Sequence, residues 1–266
     1  MAVVAAKHGA KLVISARTKN DLEKVKTDCL EAGRYRDLKS EDVLVLPFDI
    51  GKTEEHQKHY EKVVEKMGKI SGIVHCVGPL HHQNWEKTEL AVDRELLETC
   101  VLGPVNLTRT LLPHMIDRNS GIIGVVSCVE ATLGAPFMGC VAGYKQVRQH
   151  SQPCLSLPPK LTFSLQALRG YFLSLRHEVL SYGINVSFLT CGPVDLNSGE
   201  KVVRQATLCL VGLTNNIHCS WACSYPFLTM MYLHHYLPDI CSRFTSFVGP
   251  KIVAKIRTKY GAADQQ

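Results

Sequence analysis

No stretch of this 266-residue chain holds the ~20 consecutive apolar residues that a membrane-spanning helix requires. The nearest approach, residues 226–240, is interrupted by His234, His235 and Pro238 and is both too short and too polar to span. A cleavable leader is also missing from the pattern: Met1 runs straight into AVVAAKHGAKLVISAR, which predicts no secretory signal. Pro (12) and Gly (19) stay near average usage, which excludes fibrous and low-complexity architectures. Charge of one sign is scarce as well. The formal net charge is only +6, with basic residues dispersed along a solvated helix at 19–26 and a tail carrying Lys251, Lys255, Arg257 and Lys259. That dispersal reads as surface solubility and predicts no nucleic-acid partner, with membrane-surface contact as the alternative for the tail.

Cysteine is plentiful but lacks a framework. Eleven Cys form an odd set without regular spacing, and Cys76, Cys100, Cys128 and Cys140 sit inside apolar runs, as reduced core thiols do. His218, Cys219 and Cys223 have no second ligand pair at a zinc-site spacing, so no metal is expected.

What is present is an alternation. Residues 2–9 read as a helix end closed by Gly9, followed by an apolar run of strand length at 11–16. Leu22, Val25, Cys29 and Leu30 recur at helical spacing within 19–32. Further strands are predicted at 43–48, 71–76, 121–127 and 184–190, and further helices at 54–67, 90–115 and 165–181. Strands alternating with helices in this way predict one α/β domain over 1–266, with a doubly wound parallel sheet and helices on both faces. Residues 145–165, with Pro153, Pro158 and Pro159, read as an inserted loop, because Pro cannot continue a helix. Residues 195–266 read as a variable substrate-side region.

The segments LVISAR, VLVLPFDI, LLPHMIDRNSG, QALRGYF and LRHEVLSYGINVS, in this order, resemble the short-chain dehydrogenase/reductase family over nearly the whole chain. The resemblance implies a Rossmann-like fold and NADP-dependent oxidoreduction of a carbonyl or hydroxyl on a small lipophilic substrate. It implies that Arg17, after the first apolar strand, meets a 2′-phosphate, and that Asp49 contacts the adenine. For Asp49 a helix-capping role is the alternative. Gly78 survives from a family turn that lines the cofactor, and Gly192, Pro193 and Val194 from one that covers the nicotinamide. Against the family pattern, this chain begins inside what would be the first helix. The first strand and its Gly-rich, phosphate-binding turn are therefore expected to be missing, which would leave two central strands unpaired.

The resemblance places Ser127 at the catalytic Ser position, while Cys100, Cys140 and Tyr144 occupy the catalytic Asn, Tyr and Lys positions. A free Tyr has a pKa of about 10, and in the family a Lys one helical turn away lowers it. Losing a general acid costs ~10²–10⁴ in rate. Rescues can be drawn from the residues themselves. Tyr144 and Arg148 have Tyr-x-x-x-Arg spacing, Cys140 is a thiol nucleophile, and His75, His81 and His82 are acid–base groups unless they are solvated loop residues. Two function classes follow: an NADP-dependent oxidoreductase with weak turnover, or a catalytically inactive interaction protein or product of an altered gene. The resemblance leaves room for a homodimer and peripheral membrane contact. It implies an endoplasmic reticulum location, and a cytoplasmic one if the chain is complete as written.

Overall fold

The computed structural model describes residues 1–76, 89–128, 164–191, 199–215, 217, 219–222 and 227–237. The described strands run parallel in two sheets. In the first, β1 (Leu12–Ile14) pairs with β2 (Val43–Val45) in the register Leu12↔Val43. In the second, β3 (Gly72–His75), β4 (Gly121–Cys128), β5 (Ile184–Cys191) and β6 (Cys219–Ala222) lie in that order. No described strand lies between β1 and β3. Val13 and Val74, on those two strands, are 38% and 37% exposed, whereas parallel strands are ordinarily covered on both faces.

Helices connect the strands: α1 (Ala2–Lys7), α2 (Lys19–Gly33), α3 (His56–Met67), α4 (Leu90–Leu97), α5 (Gly103–Asp117), α6 (Ser164–Val179), α7 (Gly199–Thr214) and α8 (Phe227–Tyr236). The main core gathers Ile123 and Val125 of β4, Val186 and Phe188 of β5, Leu111 and Met115 of α5, and Leu168 and Phe172 of α6. A separate core under the first sheet joins Ala6, Ile14, Leu22, Cys29 and Val43. The α/β architecture matches the periodicity of the chain; β1, β2 and β3 are shorter than expected by up to three residues at an end, and β4 and β5 run one residue further.

One expectation needs correction. The single helix expected over 90–115 is instead α4 and α5 joined by a π-helical turn, Glu98–Leu102. Pro104 supplies the cause: it has no N–H to bond the carbonyl four residues back, Cys100, and its ring crowds that carbonyl. The wider turn relieves both. Within 195–266, for which the sequence predicts no elements, α7 presents Ala206, Cys209 and Leu213 to the core at helical spacing, and β6 extends the sheet.

Gly103 opens α5 against the loop that follows β2. A Cβ there would collide with the Ile50 backbone carbonyl, which cannot swing aside as a side chain would. Gly103→Ala is expected to cost about 1–3 kcal/mol, as overpacking of a fixed contact does. An unchanged midpoint in urea unfolding would refute the steric argument.

Candidate active site at the strand ends

In parallel α/β sheets, ligands bind beyond the carboxyl ends of the strands. The first sheet carries two of the sequence-predicted residues to that edge. Beyond the formal strands, the Leu46 N–H bonds Ile14 O at 3.0 Å and the Phe48 N–H bonds Ala16 O at 3.1 Å. The ladder therefore continues until it brings Arg17 and Asp49 out at one end. Arg17 is exposed and Asp49 half-buried. Asp49 Oδ1 accepts the Gly51 N–H at 3.0 Å, and the Asp49 carbonyl accepts the Lys52 N–H at 3.0 Å. One carboxylate oxygen thus closes a local turn after β2, the helix caps further on being Lys52 and Glu55, and among the described residues Oδ2 has no bond of this kind. Phe48 anchors the turn by stacking on the His59 ring at 4.6 Å and meeting the His56 ring edge-on at 5.9 Å.

In the second sheet, Ser127 is half-buried near the end of β4, in register with the buried Thr190 of β5. Sequence reasoning did not single out Thr190, because a polar residue ending an apolar run reads as a strand boundary. Cys100 lies in the π turn, 3% exposed, packed with Leu96, Val101 and Ala167. Burial pushes its thiol up to about 11. A neutral, buried thiol is a weak donor and a weak acceptor and cannot do the work of an amide side chain. Gly78, Cys140, Tyr144, Gly192, Pro193 and Val194 lie outside the described residues, as do His81, His82, Arg148 and 145–163 of the expected insertion.

His75 departs from the solvated-loop reading. It is 3% exposed at the end of β3. Thr108 donates its hydroxyl proton to Pro104 O at 2.8 Å, so His75 must present Nε2–H to Thr108 Oγ1, also at 2.8 Å. Burial, with a smaller repulsion from His56, holds its pKa down at about 3. An imidazole so enclosed is neutral at pH 7 and serves as a structural strut between β3 and α5. His56 is set the same way: Nε2–H meets Ile50 O at 3.0 Å and Nδ1 accepts from Asn106 Nδ2 at 3.0 Å. Burial lowers its pKa as well, against the raising effect of the Ile50 bond. Among the described residues no helix is long and apolar enough to cross a membrane, and no group of three or more His, Cys, Asp or Glu could hold a metal ion.

Comparison with known proteins gives this geometry its family. The short chain dehydrogenase profile matches residues 1–145. Human dehydrogenase/reductase SDR family member 7 is 32% identical over 274 residues, covering 95% of this chain and 74% of that protein. The hydroxysteroid 11-beta-dehydrogenase 1-like protein of Xenopus tropicalis is 28% identical over 211 residues, covering 76% of this chain and 63% of that protein. Among solved structures, an alcohol dehydrogenase from Thermococcus sibiricus complexed with 5-hydroxy-NADP superposes with a TM-score of 0.64 at 17% identity, covering 84% of this chain and 88% of that one. At that identity the likeness speaks for the fold. Sequence profile, relatives and sheet order agree, and the chain belongs to the short chain dehydrogenase family.

Proposed function

We propose that this chain binds NADP and descends from oxidoreductases acting on a carbonyl or hydroxyl group of a small lipophilic molecule, with its own turnover weak. The observation that carries the cofactor part is the β1–β2 ladder, which delivers an exposed Arg17 and the turn-forming Asp49 to one sheet end. A guanidinium suits a 2′-phosphate by charge and by its fork of donors, and the free oxygen of Asp49 suits an exocyclic amine. These two residues would hold the adenosine end, and Ser127 would hold the substrate oxygen. The nicotinamide, when bound, supplies or accepts the hydride. The lipid-like substrate and a place at the endoplasmic reticulum membrane rest on the sequence resemblance, and a relative named for hydroxysteroid dehydrogenation supports the former.

A second reading, a non-catalytic binding protein, is favoured by Cys100. At the position the resemblance gives to a catalytic Asn stands a buried thiol with its pKa raised to about 11. Two measurements divide the readings. Saturating NADPH at a hundred times its Kd is expected to stabilise the fold by about 2.7 kcal/mol, more than NADH does at equal concentration. Arg17→Ala is expected to erase that preference. Equal shifts for both cofactors in the unaltered protein would remove the role of Arg17, and no shift with either would remove the cofactor site. Brisk NADPH oxidation dependent on a steroid or retinoid carbonyl, lost in Ser127→Ala, would overturn weak turnover and the non-catalytic reading together.

A further inference from the structure

Cys191 closes β5 and Cys209 sits in the middle of α7, and their sulfurs lie 3.5 Å apart. The two thiols differ in access. Cys209 is fully buried, in a cluster with Leu189 and Leu213, while Cys191 is half-buried at the sheet end. A disulfide bond measures about 2.05 Å, so closure asks for roughly 1.5 Å of approach. Both residues stand on regular elements, a sheet strand and a 16-residue helix, so the encounter is built into the packing. Nothing in hydride transfer uses either sulfur.

We infer that Cys191 and Cys209 form a dithiol site for low-molecular-weight disulfides of the glutathione class, with Cys191 attacking and Cys209 resolving. The hydrogen bond from Cys209 lowers the pKa of Cys191 despite partial burial, while that same bond and burial raise Cys209. A thiolate is the attacking species in such exchange. In the first step the Cys191 sulfur bonds one sulfur of R–S–S–R, the S–S bond breaks, and R–S⁻ leaves and takes up a proton. In the second, Cys209 gives up its proton and attacks the Cys191 sulfur, expelling the second R–S⁻. The two protein thiols are oxidised to one disulfide, and one R–S–S–R is reduced to two R–SH. The product ties the end of β5, the residue before Gly192, covalently to α7.

The full-length reduced protein, incubated with oxidised glutathione and then differentially alkylated, tests this by peptide mass mapping. The unaltered chain should yield a linked Cys191–Cys209 peptide pair lacking the mass of two hydrogens. Cys209→Ser, which cannot resolve, should retain one glutathione on Cys191, and Cys191→Ser should leave Cys209 unmodified. Far-ultraviolet circular dichroism checks that both variants fold. The mapping of the unaltered chain decides the matter even if they do not. Recovery of both thiols alkylated, or pairing of Cys191 with the exposed Cys76, overturns the assignment.

Discussion

Phe172→Ala is expected to destabilise the fold by about 3–5 kcal/mol, the usual range for removing a buried aromatic ring from a packed core. Phe172 is 1% exposed in α6 and belongs to the main core with Leu168 and Val179, one helix face laid on β4 and β5. Its ring also stands 5.5 Å from that of His75, tilted by 56°. Truncation would open a cavity beside an imidazole whose neutrality depends on exclusion of water. The midpoint in urea should fall sharply, and the pKa of His75 should climb from about 3 toward its ordinary range. A loss below about 1 kcal/mol would mean that the site collapses and α6 is loosely docked.

Acidification should be the second large effect. His75 takes up a proton near pH 6.5 when unfolded but only at about pH 3 when folded. Between those values the unfolded chain binds the extra proton, so stability declines as pH falls through this window and is fully present above it. Each pH unit is worth up to about 1.4 kcal/mol per group once the unfolded imidazole is protonated, so a move from pH 6.5 to 5 should remove about 1–2 kcal/mol through His75 alone. His56, also held below its ordinary pKa, adds in the same direction. Urea unfolding at several pH values should show the slope in the unaltered protein and a shallower one in His75→Gln. Equal slopes would show that His75 does not titrate as described.

The sequence made the frame legible because buried parallel strands are written as short apolar runs. IVH, GIIGVV and INVSFL needed no long-range information to be recognised. The π turn was not legible by periodicity, since apolar spacing hardly distinguishes one wider turn from a regular one, although Pro104 was a local sign of it. His75 was misjudged for a different reason. Its partner Thr108 lies 33 positions away, and only the packing of α5 on the sheet turns a strand-end histidine into a buried one. At the candidate site, Arg17, Asp49, Ser127 and Cys100 could be named from sequence. The shared edge of Arg17 and Asp49 depends on a ladder continuing past the strands, and the 3.5 Å pairing of Cys191 with Cys209 on how α7 packs on the sheet, neither of which is local in sequence.

The separation of the described strands into two sheets bears on how the molecule opens. The ladder of β1 and β2 rests on its own small core, while β3 to β6 share a larger one with α5 and α6. Among the described residues no hydrogen-bonded ladder joins β1 to β3, so the smaller unit is expected to release its amides to solvent at a lower free energy than the larger. Arg17 and Asp49 belong to the smaller unit, and Ser127 and Thr190 to the larger. A ligand touching both would therefore act as a cross-link, merging two opening events into one.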